Sequence, residues 1–362
     1  MSSDPCAGFA TSYAQARQRF IAAADAAGLD VHGHVHPMLG IDGETLALDI
    51  ARSGPADAAA LLILSSGCHG VEGYCGSGVQ NALLADAEFG AAARRAGVAV
   101  LHLHALNPYG FSWSRRVTQE NVDLNRNWPD FGAPLPRNPA YDEIEHWLLP
   151  AHWPPSPEVE AGLQAWIAQH GVAAFQAALS QGQYAHPEGL FYGGHDPTWS
   201  RQTLSHVLQE QAGRCRRLAW IDLHTGLGPC GHGERILAGP DDAETLARAR
   251  AWWGPQVTSI HDGSSTSPPL AGMMWTAAPA LCPQAEYTGI ALEFGTLPLQ
   301  ACWQALREDQ WFELHPDADP RRREAARRRM REAFYVETDD WERRIVAQSR
   351  EAALQALAGL AA

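Results

Sequence analysis

Two side chains that can do chemistry follow the apolar run 58–64. They are His69 and Glu72, in the segment His-Gly-Val-Glu. At a turn between a strand and a helix, a histidine and a glutamate three residues apart can aim a ring nitrogen and a carboxylate oxygen at one point, which suits a tetrahedral zinc ion. The pattern is common by itself, and an ordinary surface turn is the alternative interpretation.

A second histidine and a second glutamate stand in apolar segments further along the chain. His224 follows the segment Trp-Ile-Asp-Leu, and Glu293 lies within Ile-Ala-Leu-Glu-Phe-Gly. His224 alone is either a hydrogen-bonded core histidine or a ligand, whereas a buried glutamate without a partner is costly. Together with His69 and Glu72, His224 completes a zinc ligand set of two histidines and one glutamate, and Glu293 is then the catalytic base beside the metal.

A third group of polar residues occupies the segments 107–111, 115–116 and 121–127. A polar loop with two surface arginines is one interpretation. Against it, Asn125 and Arg126 are adjacent in a stretch that has almost nothing to bury, so packing does not explain them. The planar guanidinium of arginine pairs with a carboxylate through two parallel hydrogen bonds, which lysine cannot do.

The hydrophobic pattern predicts the elements that position these residues. Strands are predicted at 45–51, 58–64, 98–105, 217–223 and 289–294, and helices at 8–27, 77–96 and 157–179. A strand, a helix and a strand joined by short connections are typical of a parallel, doubly wound sheet. The candidate residues then lie at strand ends, where such sheets bind their ligands.

The length of 362 residues fits one large domain or two ordinary ones, and we expect a single α/β domain over 1–362. Its predicted core covers about 45–299, between a helical N-terminal segment 1–44 and a helical C-terminal segment 300–362. A loop-rich elaboration, rich in proline and aromatic residues, is expected at 128–199. The expected fold is a mixed, largely parallel sheet sandwiched by helices.

The composition excludes several classes of partner. The chain has 41 acids and 27 bases, all arginine, and a net charge of −14, which disfavours nucleic acid. The arginine-rich run 321–331 is interpreted as a solvated helix face. No apolar stretch reaches the roughly 18 residues of a membrane span, and the first residues lack a signal-peptide pattern, so a cytoplasmic protein is expected. Seven scattered cysteines without a Cys-x-x-Cys pair indicate neither a disulfide framework nor a cysteine zinc site.

The combined motifs resemble the carboxypeptidase-A-like zinc hydrolases, a superfamily that includes aspartoacylase-type deacylases. The flanking residues are most similar to a bacterial branch known mainly as a domain of unknown function, through Gly-Val-Glu-Gly at 70–73 and Glu-Phe-Gly-Thr-Leu-Pro at 293–298. The resemblance runs in order from about residue 45 to 299. The segments that carry it are His69-x-x-Glu72, Asn107-Pro-x-Gly-Phe111, Asp123-x-Asn-Arg-Asn127, His224 and Glu293.

For the metal and its chemistry, the resemblance implies that His69, Glu72 and His224 bind one zinc ion per chain. It implies that Glu293 is the general base. Asp123 is placed as the hydrogen-bond partner of a zinc-binding histidine, which would fix the tautomer of that ring.

For the substrate, the resemblance implies that Arg116 stabilises the oxyanion, with Arg115 as the alternative. It also implies that Asn125 and Arg126 hold a terminal carboxylate of the substrate. The expected reaction is zinc-dependent hydrolysis of an amide bond in a short peptide, a peptide-like metabolite or an acyl amino acid.

One departure from the family concerns the mobile tyrosine that covers the substrate in carboxypeptidases. Between His224 and Glu293 the only tyrosine is Tyr287, which is too close to Glu293 for that role. Tyr184 and Tyr192 either line the cleft instead or are packing aromatics.

Three functions therefore remain open. The first is a carboxypeptidase, and the second is an N-acyl amino acid deacylase. The peptidase is favoured slightly, because the 69 residues after Glu293 have a helical pattern, whereas deacylases often append a β-rich domain. The third is a non-catalytic binding protein that retains the fold. Such a protein would have no physical need for Glu293 in an apolar strand, where a buried carboxylate is costly.

Overall fold

A mixed seven-stranded β-sheet forms the centre of the molecule in the computed structural model, which describes residues 4–362. Its strands are β1 (Val31–Leu39), β2 (Thr45–Ser53), β3 (Ala60–Ser65), β4 (Ala99–His104), β5 (Arg217–Cys230), β6 (Gly233–Leu237) and β7 (Glu286–Gly295).

The strand order across the sheet is β1-β2-β4-β3-β5-β7-β6. The four central strands β4, β3, β5 and β7 are parallel to one another. At the edges β2 pairs antiparallel with β4, β1 pairs antiparallel with β2, and β6 pairs antiparallel with β7. The predicted mixed, largely parallel sheet is therefore confirmed.

Helices cover both faces of the sheet, as predicted. The helices are α1 (Tyr13–Ala26), α2 (Gly73–Ala85), α3 (Ala87–Ala96), α4 (Pro108–Ser112), α5 (Pro139–Leu148), α6 (Pro157–His170), α7 (Val172–Ser180), α8 (Trp199–Ala212), α9 (Ala243–Trp253), α10 (Ala277–Leu281), α11 (Leu299–Leu314), α12 (Pro320–Phe334) and α13 (Asp339–Ala361).

No helix of residues 4–362 combines the length and the apolar character needed to cross a bilayer.

Strand β3 is buried on both faces of the sheet. Its side chains alternate between two hydrophobic clusters, with Leu62 and Leu64 in one and Leu61 and Ile63 in the other. Successive side chains of a strand point to opposite faces, so a continuous apolar run is buried on both sides. The strand that leads to His69 is thereby fixed by packing on both faces.

Two predicted helices are each divided in the structure. The helix predicted at 77–96 is α2 and α3, which meet at Asp86, because that side chain accepts hydrogen bonds from two main-chain N–H groups of α3 and caps it. The helix predicted at 157–179 is α6 and α7, separated by Gly171 with φ +90°. The helix predicted at 8–27 begins only at Tyr13.

The strands at the sheet edges also differ from the prediction. The segment 1–44, expected to be helical, contains β1, and β6 was not predicted. Strand β5 continues to Cys230, so His224 lies within a strand and not at its end. The strand extends this far because it contains a bulge after Gly226, and Cys230 beyond the bulge pairs again with Gly295 of β7. The segment 128–199 contains the helix α5 in addition to α6 and α7.

Candidate active site

His69 and Glu72 lie on a tight turn directly after β3. Both side chains are buried, and Glu72 ends a single turn of 3₁₀-helix that leads into α2. Gly70 between them donates its N–H to the carbonyl of Arg116 at 3.1 Å. A Cβ atom at Gly70 would stand 2.0 Å from the main chain of Gly110, so only glycine permits this approach. The turn is thereby tied to the segment that carries Arg116.

His224 and Glu293 are direct neighbours on the parallel strands β5 and β7. Glu293 is 9% exposed, and its Oε1 accepts a hydrogen bond from the main-chain N–H of Leu227 at 2.9 Å. Within residues 4–362 it forms no ion pair with an arginine. The sheet therefore holds a nearly buried carboxylate beside His224 without neutralising it.

The side chains of His69, Glu72 and His224 converge on one point. The Nδ1 atoms of the two histidines are 3.3 Å apart. The carboxylate oxygens of Glu72 lie 2.8 Å from Nδ1 of His69 and 3.1 Å from Nδ1 of His224. Zinc–nitrogen bonds of 2.0–2.1 Å in a tetrahedron place two ligand atoms roughly 3.3–3.4 Å apart. The donor set and its spacing fit a zinc ion.

The outer nitrogens of the two histidines have different partners. Nε2 of His224 lies 2.5 Å from Asp222, whereas Nε2 of His69 lies 2.7 Å from a guanidinium nitrogen of Arg116 and 3.2 Å from Asp123. Asp222 in turn accepts a hydrogen bond of 2.5 Å from the hydroxyl of Ser65. For His224, the carboxylate on Nε2 favours the tautomer that leaves Nδ1 free to bind a metal.

The charges of the site shift several pKa values. Burial raises the pKa of Glu72, but the nearby His69 and His224 outweigh it and hold that pKa well below its usual range. Burial lowers the pKa of His224, but Asp222 and Glu72 outweigh it and raise that pKa well above its usual value. Burial, together with Glu72, raises the pKa of Glu293 to about 7.

The two adjacent arginines point in different directions. Arg116 faces the site, where its guanidinium donates to Asp123 at 3.0 Å and lies 3.4 Å from Glu72. Arg115 instead donates to Asp309 on α11 at 3.0 Å. The structure therefore brings Arg116 to the candidate site and places Arg115 in a buried ion pair outside it.

Asn125 and Arg126 lie side by side after Asp123. The side-chain oxygen of Asn125 accepts from the main-chain N–H of Met274 at 2.9 Å. Arg126 is 2% exposed and donates to the main-chain carbonyls of Ser180, at 3.1 and 2.6 Å, and of Asn125, at 2.8 Å. It forms no ion pair within residues 4–362. Burial consequently lowers the pKa of Arg126.

One cavity connects these residues. Its lining is otherwise mostly apolar. The three tyrosines considered from the sequence do not line it: Tyr287 is buried in the core, Tyr184 donates to the main-chain carbonyl of Arg126 at 2.6 Å, and Tyr192 lies against His195. All seven predicted site residues line the cavity: His69, Glu72, Arg116, Asn125, Arg126, His224 and Glu293.

Two residues of the site were not found from the sequence. Asp222 stands two positions before His224, and alternate residues of a strand face the same side, so the Asp-Leu-His spacing was a usable signal. The ring of Phe191 lies beneath the guanidinium groups of Arg116 and Arg126. Its centroid is 4.8 Å from Cζ of Arg116 and 5.8 Å from Cζ of Arg126. It comes from a distant loop, and nothing in its local sequence indicates this contact.

The solved structures that match this chain include a fibrinolysis inhibitor and two carboxypeptidases. Thrombin activatable fibrinolysis inhibitor matches with a TM-score of 0.55 at 10% identity, over 97% of this chain and 74% of that chain. Carboxypeptidase A from Helicoverpa armigera matches with a TM-score of 0.42 at 12% identity, over 89% and 73%. A metallo-carboxypeptidase from Pseudomonas aeruginosa matches with a TM-score of 0.40 at 16% identity, over 96% and 70%.

The fold of the chain is carboxypeptidase-like, as the sequence resemblance predicts. The chain belongs to the family described as "Protein of unknown function (DUF2817)", whose model matches residues 9–348. A comparison with curated proteins gave no significant match.

Proposed function

We propose that the protein is a zinc-dependent hydrolase that cleaves an amide bond in a substrate with a free carboxylate, with carboxypeptidase-like action on a short peptide or peptide-like metabolite. One observation carries the proposal. The inner nitrogens of His69 and His224 converge with Glu72 at the spacing of zinc ligands, while Asp222 holds the outer nitrogen of His224.

The charge balance around these residues supports a dication. Four carboxyl groups, those of Glu72, Asp123, Asp222 and Glu293, surround two guanidinium groups and two imidazole rings in the site. The carboxylates of Asp222 and Glu72 that raise the pKa of His224 would equally favour a metal ion in place of its proton. An excess of buried carboxylates without a compensating cation is costly.

The residues of the chain have separable roles in this reaction. A zinc ion bound here would polarise the scissile carbonyl and lower the pKa of a water molecule. The carboxylate of Glu293 accepts a proton from the attacking water and passes it to the leaving amine. The guanidinium of Arg116 donates hydrogen bonds to the developing oxyanion.

Arg126 supports a substrate with a free carboxylate. Its guanidinium is buried and lacks an acidic partner within residues 4–362, and a buried charge is stable only when it is paired. A substrate carboxylate would supply that partner, with the Asn125 side chain beside it. The same pair would also serve an N-acyl amino acid deacylase, and the substrate comparison below separates the two reactions.

The direct test compares matched substrates on zinc-loaded and chelator-treated protein. A panel of short peptides, their C-terminal carboxamides and N-acyl amino acids is assayed for amide hydrolysis. We expect hydrolysis of the free-carboxylate peptides only, lost on chelation and restored by zinc. Equal cleavage of peptide and carboxamide would exclude the carboxylate requirement, and faster cleavage of the acyl amino acids would identify a deacylase.

A further inference from the structure

One wall of the cavity comes from the C-terminal helices and has no role in the chemistry described above. Leu299, Trp303 and Leu306 of α11 line it, together with Phe334 at the end of α12. Leu299 and Trp303 are only partly buried, so their apolar surfaces face open cavity space. None of these four side chains carries a charge, and the indole N–H of Trp303 is the one polar group among them.

This wall begins directly beside Glu293. A Cβ atom at Gly226 would lie 3.0 Å from the ring of Phe334 and 3.7 Å from Oε1 of Glu293. The ring of Phe334 and the carboxylate of Glu293 therefore both lie next to Gly226. The hydroxyl of Thr225 on β5 donates to the main-chain carbonyl of Phe334 at 2.6 Å and fixes this end of α12. A group held against the wall is therefore adjacent to the reacting bond.

Helix α7 shows that the wall and the carboxylate-binding residues are separate places. Ser180 at the end of α7 accepts hydrogen bonds from Arg126, whereas Phe175 of the same helix packs edge-on against Trp303 with ring centroids 4.5 Å apart. Five residues of α-helix span about 7.5 Å. Two extended residues span at most about 7 Å. Along α7, the residue that contacts the wall and the residue that contacts Arg126 are therefore separated by about the length of a dipeptide.

The wall is also preformed. Trp303 is braced by Phe175, and the neighbouring Arg307 of α11 is anchored by hydrogen bonds to the main-chain carbonyls of Leu148 at 2.9 Å and Trp147 at 2.7 Å. A rigid apolar surface binds a complementary group without an ordering cost. A charged group placed there would lose its hydration without gaining a partner.

We propose that the α11 wall is a binding site for an apolar side chain or acyl chain on the acyl side of the cleaved amide bond. This inference rests on the proposed function, because Arg126 must hold the carboxylate on the amine side. The substrate is then a peptide whose residue before the C-terminal one is aromatic or aliphatic.

The test uses N-acetyl dipeptides that share a C-terminal leucine and carry phenylalanine, leucine, glycine or aspartate before it. With zinc-loaded protein, we expect kcat/KM for phenylalanine and leucine to exceed that for glycine by about 10- to 100-fold. Aspartate should be the poorest of the four, because the wall cannot neutralise it.

Three variants assign this preference to the wall. Trp303→Ala should reduce the phenylalanine-to-glycine ratio at least several-fold at unchanged zinc content, and Trp303→Phe should restore much of it. Gln300→Ala, on the exposed side of the same helix, is the matched control and should leave the ratio unchanged.

The outcomes separate this inference from the proposed function. If the dipeptides are hydrolysed but the ratio is near one, or survives Trp303→Ala intact, the acyl-side site is wrong while the hydrolase stands. If zinc-loaded protein hydrolyses none of them, the proposed function fails and this inference fails with it.

Discussion

Glu293 is the residue on which the proposed chemistry depends most. The variant Glu293→Gln keeps the shape of the side chain but cannot accept a proton, so turnover should fall by about 10²- to 10⁴-fold with zinc content and Tm retained. Steady-state kinetics with elemental analysis measures both. Glu286→Gln, an exposed change on the same strand, is the control. An amide variant with the wild-type rate would show that another group is the base.

The pH dependence of the reaction follows from the same side chain. Burial and the nearby Glu72 raise the pKa of Glu293 to about 7, and a bound dication lowers it again. Because the ionised form is the base, kcat/KM should fall tenfold per unit as the pH drops below an apparent pKa no higher than about 7. Kinetics from pH 4 to 9 measures this limb. A limb that persists unchanged in the residual activity of Glu293→Gln belongs to another group.

Arg126 offers a test of how the substrate carboxylate is recognised. Arg126→Lys keeps the charge but loses the planar pair of donors, so KM should rise nearly as much as in Arg126→Ala. The measurement is kcat/KM for a free-carboxylate peptide and for its carboxamide in all three proteins. Full rescue by lysine would indicate a nonspecific electrostatic role, and an unchanged preference in Arg126→Ala would place the carboxylate elsewhere.

For single residues, the sequence predicts which side chains lie close together but not the direction in which each side chain points. His69 and Glu72 are three residues apart, so their convergence is a local property of one turn. Whether Arg115 or Arg116 faces the site depends on the backbone conformation of the loop, which hydrogen bonds to a distant turn determine. Sequence spacing alone cannot separate two adjacent arginines.

Among the elements, strand β5 positions the site through alternate residues. Asp222 and His224 face the same side of the strand, and Asp222 holds Nε2 of the imidazole at 2.5 Å. Asp222→Asn should therefore weaken zinc binding by about 10- to 100-fold while the protein stays folded. Competition with a fluorescent chelator measures the affinity. The control is Asp196→Asn, which changes an exposed aspartate beside His195, and equal zinc affinity in the two variants would contradict the positioning role.

Buried strands were predicted more accurately than exposed ones. Strand β3 was predicted because packing on both faces requires a continuous apolar run. Strand β1 was missed, because as an edge strand it is largely exposed and its sequence contains three histidines, a glycine and a proline. The division of 77–96 depends on one capping aspartate, Asp86, whose role is visible only once the chain turns there.

For the whole molecule, a zinc ion held by His69, Glu72 and His224 would join β5 to the turn between β3 and α2. A ligand that binds only the folded state stabilises it by about 4 kcal/mol at 1,000 times its Kd. Zinc-loaded protein should therefore melt several degrees above chelated protein in differential scanning calorimetry. His224→Ala should lose this difference, and a wild-type Tm that is insensitive to zinc would contradict a site that joins these elements.

The most direct test of the whole account is the zinc content of the purified chain after dialysis, measured by elemental analysis on wild type and His224→Ala in parallel. The account predicts about one zinc ion per wild-type chain and a large loss in the variant, because one of three protein ligands is removed. A wild-type chain that binds no zinc even when it is supplied, or a variant that retains all of it, would contradict the assignment of His69, Glu72 and His224 as the metal site.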